Sequence, residues 1–195
     1  TYPYGEYVLS GSSVGVWVAA IDKSYGKAEI TEPIYYSVES DNTTVGQAVI
    51  NNDGYATLYG DGDVYFSAVT GEAYGSTMLH SVSNPDSIVI KNESDGSEVS
   101  SLSVSSGQTV YLTADSVYQN INLTDSDEAY SWSVSDENLG TISADGTFIP
   151  GNVSGTGTIN VSAGSVSASV NLTVSAGPEQ ILSLIHISEP TRQAE

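Results

Sequence analysis

Apolar and polar residues alternate along short runs of this chain, and the runs recur about 95 positions apart. Val110, Leu112 and Ala114 fall on one side of an extended backbone while Tyr111 and Thr113 fall on the other, the mark of a strand with one buried face. The same holds for Tyr130/Trp132/Val134, for Ile159/Val161/Ala163 and for Val166/Ala168/Val170/Leu172/Val174, whose intervening residues are Ser, Asn or Thr. Self-comparison places Ser10, Gly11 and Val14 on Ser106, Gly107 and Val110, and Ser37-Val38 on Ser133-Val134, all at an offset of 96. Asp53-Gly54 falls on Asp145-Gly146 at 92, and Ser67-Ala68 on Ser162-Ala163 at 95. A repeat of that length is a domain and not a solenoid unit. Residues 1–181 carry no helical period. About seven β-rich runs per unit, divided by turn residues, predict two sandwiches in tandem, with Trp132 on the third strand of the second as the centre of its core. Asp145-Gly146 is a hairpin signal. Asn84-Pro85-Asp86 marks the boundary, because Pro interrupts a strand ladder and Asn and Asp favour turns. The expected division is therefore 1–84, 85–176 and a linker at 177–181.

Composition narrows the partners. With 24 acidic residues against 4 basic ones, the 195-residue chain has a formal charge of -20, which opposes binding to nucleic acid or to anionic membranes. No apolar run approaches the roughly 20 residues of a membrane-spanning helix. There is no Cys, hence no disulfide framework, thiol nucleophile or thiolate metal site.

Four segments carry a family resemblance: SGQTVYLTA at 106–114, YSWSVS at 130–135, GTISADGTF at 140–148 and GTGTINVSAG at 155–164. Together they resemble a bacterial immunoglobulin-like repeat of the group 2 type, closely over 86–176 and more loosely over 5–82. In the first unit Tyr36 stands at the Trp132 position, and the run after Asp53-Gly54 reads YATLYG. The resemblance implies an all-β chain of two tandem immunoglobulin-like β-sandwich domains, extracellular or at a bacterial cell surface. With its Tyr-Pro-Tyr opening and Pro-Asp-Ser-Ile link, the tandem pair also resembles the units that follow the catalytic domain in secreted phosphodiester glycosidase proteins. That likeness implies an upstream domain of the same polypeptide as a partner, and it brings no catalytic residue with it.

Two expectations concern the ends. The opening run of the second unit, SIVIKN at 87–92, maps 96 positions back to before Thr1. The first unit is thus expected to lack its first strand and to leave an edge open. With no Met at position 1, the chain reads as a fragment or a processed product. Residues 182–195, LSLIHISEPTRQAE, hold the only Arg and break with the preceding composition. They resemble the conceptual translation of a sequencing adapter, the alternative being a native amphipathic tail.

Candidate chemistry is sparse. Outside that tail the single His is His80, whereas a catalytic triad or a His-metal centre needs convergent imidazoles. Most acids lie in turns, where solvated carboxylates are the ordinary outcome, so the chain is expected to be non-catalytic. Asp53, Asp61 and Asp63 form one oxygen-rich cluster that could hold Ca²⁺, and Asp125, Asp127 and Glu128 a second; solubility is the competing explanation for both. Six Asn-x-Ser/Thr sequons, at Asn42, Asn92, Asn122, Asn152, Asn160 and Asn171, would be surface sites in a glycosylating host. Alternation puts Trp17, Tyr35 and Tyr65 on outer faces, where the second unit has Thr113, Ser131 and Asn160. Tyr35 and Tyr65 are expected on adjacent strands of one sheet, as a stacking platform for a cell-wall or dietary polysaccharide, with Trp17 a separate anchor. A cross-strand pair packed against an upstream domain is the alternative.

Overall fold

The computed structural model describes residues 6–15, 29–30, 33–40, 46–50 and 55–177. The first unit contains β1 (Glu6–Leu9), β2 (Ser13–Gly15), β3 (Tyr35–Ser40), β4 (Gly46–Ile50), β5 (Tyr55–Tyr59), β6 (Gly62–Thr70) and β7 (Ala73–Val82). The second contains β8 (Ser87–Asn92), β9 (Ser101–Ser105), β10 (Val110–Tyr118), β11 (Ile121–Asn122), β12 (Ser131–Val134), β13 (Gly140–Ile142), β14 (Thr147–Pro150), β15 (Gly155–Ala163) and β16 (Val166–Ser175). Two single-turn 3-10 helices, Asp127–Ala129 and Glu137–Leu139, flank β12.

In the second unit one sheet holds β8, β10, β14 and β13, with the short β11 beside β10, and the other runs β12-β15-β16-β9. The first unit repeats this with β2-β5-β4 in one sheet and β3-β6-β7-β1 in the other. In each unit the early strand, β1 or β9, pairs in parallel with the last, β7 or β16. Two facing sheets, of three and four strands in the first unit and of five and four in the second, with an early strand paired in parallel to the last, make the arrangement of an immunoglobulin-like sandwich. The chain is therefore an all-β, tandem immunoglobulin-like protein. Among the described residues no strand of the first unit occupies the place that β8 takes beside β10, where six residue pairs run from Leu112↔Asn92 to Val117↔Ser87.

Hairpin register refines the repeat. β6 and β7 close at Thr70↔Ala73, and β15 and β16 close at Ala163↔Val166, an offset of 93. The sequence match of Ser67-Ala68 to Ser162-Ala163 at 95 is therefore two positions out of structural register. Both are small-residue pairs on strands of the same period, and a shift of two preserves which face each residue occupies.

Alternation decides the core. Ile159, Val161, Val170, Leu172 and Val174 are almost completely buried, with Leu112 and Ala114 opposite them on β10. The central ring is Phe148, fully buried, and not Trp132, which packs partly exposed against the core from β12. The indole is too large to bury fully at a sheet margin, whereas Phe148 sits on β14 in the middle of the opposing sheet. At the Asp145-Gly146 turn, Gly146 has φ +81° and its backbone lies so close to Leu112 that an added Cβ would come within 2.0 Å of the Leu112 carbonyl oxygen. Gly146→Ala is therefore expected to destabilise the second unit by about 3 kcal/mol, measured by urea unfolding; a change below 1 kcal/mol would show that this turn relaxes without cost.

Candidate functional site

Two regions distinguish the first unit: an aromatic outer face and the joint with the second unit. The face belongs to the β3-β6-β7-β1 sheet. Val64 and Phe66 of β6 point into the core, so their neighbours point out. Ladder register then arranges the outward residues in rows across the strands: Tyr35–Val69–Tyr74, Ser37–Ser67–Ser76, Glu39–Tyr65–Met78 and Asp63–His80–Tyr7. The corresponding rows of the second unit are Ser131–Ser162–Ser167, Ser133–Asn160–Ser169, Thr158–Asn171–Ser101 and Thr156–Thr173–Ser103. In three of these rows the first unit presents aromatic, apolar or charged groups where the second presents hydroxyls and amides, and the Ser37–Ser67–Ser76 row is polar in both.

Tyr35 and Tyr65 do lie on adjacent strands of one sheet, but they are not opposite one another. Tyr65 faces Glu39, four residues along β3 from Tyr35, about 13 Å away at the rise of a strand. The ring that shares a row with Tyr35 is Tyr74, and both are 69% exposed on either side of Val69. Tyr74 escaped the sequence reading because the register that places it opposite Val69 becomes visible only once the β6–β7 turn is known. At the 93-residue offset the counterpart of Tyr65 is Thr158 and not Asn160. Trp17 and Asp53 lie outside the described residues.

The two remaining acids of the first cluster turn away from each other. The Asp63 carboxylate meets His80 Nδ1 at 2.5 Å, while Asp61 Oδ1 accepts the Ser83 backbone N–H at 2.5 Å. Among the described residues no three acidic or imidazole groups converge as metal ligands. In the second cluster Asp125 points inward, accepting hydrogen bonds from the Tyr130 hydroxyl at 2.5 Å and the Ser116 N–H at 3.2 Å. Burial raises the Asp125 carboxyl above its ordinary value, outweighing the two donors. Tyr130 is also raised, by burial first and by its bond to Asp125 second. Glu128 is exposed and is lowered by a hydrogen bond from the Ser126 side chain.

The joint is built from both ends of the first unit. β1 lies between β7 and the segment around Thr124: Leu9 N–H donates to the Thr124 carbonyl and Thr124 N–H to the Tyr7 carbonyl, each at 2.9 Å. Leu9 and Val82, fully buried, belong to the core of the second unit. Ser12 Oγ accepts from Ser126 N–H, and Ser126 Oγ accepts from Ser13 N–H, both at 3.1 Å. The Tyr7 ring stands edge-on to His80 at 5.0 Å and reaches Tyr118 of the second unit at 5.7 Å.

Between β7 and β8 the chain is held as well. Asn84 Oδ1 accepts from the Ser165 N–H at 2.9 Å and hydroxyl at 2.7 Å, and Asp86 Oδ2 accepts from Gln119 N–H at 2.7 Å. Gly164, at φ +58°, lets the β15–β16 turn close on Ser83, whose carbonyl oxygen would lie 2.0 Å from an added Cβ.

No protein-family model matches the chain. No curated protein matches it either. Among solved structures, domains 5-6 of the S-layer protein SbsC align at 16% identity and TM-score 0.38 over 91% of this chain and 96% of that one. Domains 1-6 of the same surface layer protein align at 17% and 0.36, covering 88% of this chain. The C-terminal fragment of intimin, solved with the intimin-binding domain of its translocated receptor, aligns at 14% and 0.32 over 83% of this chain and 56% of that one. This chain spans about a quarter of the length of the first solved structures it matches. Superpositions this loose do not define a relationship.

The Asp125 shift has a sign that can be measured. Because its folded value lies above the ordinary 3.8, its contribution to stability is greatest when it is protonated and declines as pH rises through the folded value. Asp125→Asn keeps an acceptor for Tyr130 and removes the buried charge. The melting temperature of the variant relative to the wild type should therefore be higher at neutral pH than at pH 3; a difference that is the same at both would refute the shift.

Proposed function

We propose that the two sandwiches form a stiff, non-catalytic spacer in a secreted or cell-surface bacterial protein, holding a neighbouring domain at a fixed distance and orientation. The observation that carries this reading is the joint, where Leu9 and Val82 of one unit are buried in the core of the other. Domains joined only by a linker move independently by default, unless their interface is apolar and substantial. Here an apolar insertion, a strand bridge between Val8 and Thr124 and a pinned connection act together. Acidity supports the same role, since like charge keeps copies of a surface module apart.

An accessory role accords with the face and turn chemistry. His80 is engaged with Asp63 and Tyr7, and Asp125 is engaged with Tyr130. The phosphodiester glycosidase parent rests on the sequence resemblance, and in it the catalytic groups would belong to another domain. Incubated with a sugar phosphodiester, the chain is expected to release no sugar; turnover by the chain alone would overturn the accessory reading.

Stiffness can be read directly. Residual dipolar couplings from the two units should fit one alignment tensor, and calorimetry should give one unfolding transition. Leu9→Ala is expected to cost about 2–5 kcal/mol and to separate the transitions. Two independent tensors in the wild type would sink the spacer proposal.

A further inference from the structure

We propose that the Tyr35–Val69–Tyr74 row is a binding site for an extended, amine-bearing polysaccharide. The site stands apart from the spacer reading, because it lies on the outer face of one sheet and uses none of the joint residues.

The internal repeat supplies the first argument. The same three positions in the second unit are Ser131, Ser162 and Ser167, so the fold does not need rings there. Their presence in the first unit is an addition to a surface that hydroxyls satisfy. Two large side chains left 69% exposed forgo the burial that would stabilise the fold.

Geometry gives the second argument. Tyr35 and Tyr74 sit on the outer two of three adjacent strands with Val69 between them, about 10 Å apart at the spacing of a sheet. Two rings flanking a low apolar shelf suit an extended chain of sugar rings crossing the strands, because the C–H faces of pyranose rings stack on aromatic faces. The next row, Ser37–Ser67–Ser76, offers hydroxyls to the ligand's hydroxyls; Ser37 and Ser67 are already bonded at 3.0 Å and oriented.

Charge selects the class of sugar. Exposed Glu72 lies in the turn just before Tyr74, and exposed Glu39 lies two rows along β3 from Tyr35. The chain as a whole carries -20. Uronic-acid or phosphate polymers are repelled, whereas protonated amino sugars gain from the carboxylates and from cation–π contact with the tyrosines.

The test is calorimetric titration of the full chain with a β-linked glucosamine hexamer, and with its fully N-acetylated counterpart, at mildly acidic pH where the free amines are protonated. The free-amine hexamer should bind, and the acetylated one at least about tenfold more weakly. Tyr35→Ser with Tyr74→Ser installs the residues that the second unit uses and should weaken binding by about tenfold or more at an unchanged melting temperature. Should that variant misfold, the reverse graft, Ser131→Tyr with Ser162→Val and Ser167→Tyr, should raise the stoichiometry from one site to two. The proposal is overturned if neither hexamer binds, if the acetylated hexamer binds equally well, if the folded double variant binds like the wild type, or if the graft leaves the stoichiometry at one.

Discussion

The joining of the two sandwiches depends on where β1 is placed. Four residues, Glu6–Leu9, pair with β7 on one side and exchange backbone bonds with Thr124 on the other. Alternation along β1 then does two jobs: Val8 enters the core of the first unit, and Leu9 enters the core of the second. Fully burying a leucine side chain stabilises by about 1.5–3 kcal/mol, and here that free energy is available only while both units keep their relative position. Three fully buried hydroxyls are all satisfied, one across the joint and one within each unit. Ser12 accepts from Ser126, Ser81 donates to the Gly60 carbonyl, and Ser116 shares a bond with Tyr130. Each satisfies a polar group that would otherwise be costly to bury.

Much of this architecture was legible from alternation alone. The runs around Leu112, Ile159 and Leu172 predict strands with inward apolar residues, and those residues form the core. The Asp145-Gly146 turn was legible because φ above zero with no room for Cβ leaves few residues to choose from. The central ring was not. Trp132 was expected at the centre from its place on the third strand, whereas burial depends on position within the sheet, and strand order is set by long-range pairing that no local pattern records.

The candidate sites were legible in part and for a related reason. Tyr35 and Tyr65 were recognisable as outward-facing because faces follow from period two. Which ring stands beside which depends on the length of a turn, and that brought Tyr74 into the row with Tyr35 in place of Tyr65. Asp61 and Asp63 looked like one cluster because they are adjacent in sequence. The ladder sends Asp63 to His80 and Asp61 to Ser83, partners separated from them by the whole β6–β7 hairpin. Asp125 was grouped with its neighbours in a turn, yet the buried hydroxyl of Tyr130 draws it inward.

The parallel pairing of β1 with β7, and of β9 with β16, matters when such a chain is pulled. In each unit an early strand and the last strand point the same way, so tension between the two ends drags them in opposite directions along their common ladder. For β9 and β16 that ladder spans five residue pairs from Asn171↔Ser101 to Ser175↔Ser105. Sliding loads those bonds side by side and requires them to fail together, whereas peeling would open them one after another. A module tethered at a surface and dragged by flow or by a bound substrate would meet that load with the part of the sandwich best arranged to resist it.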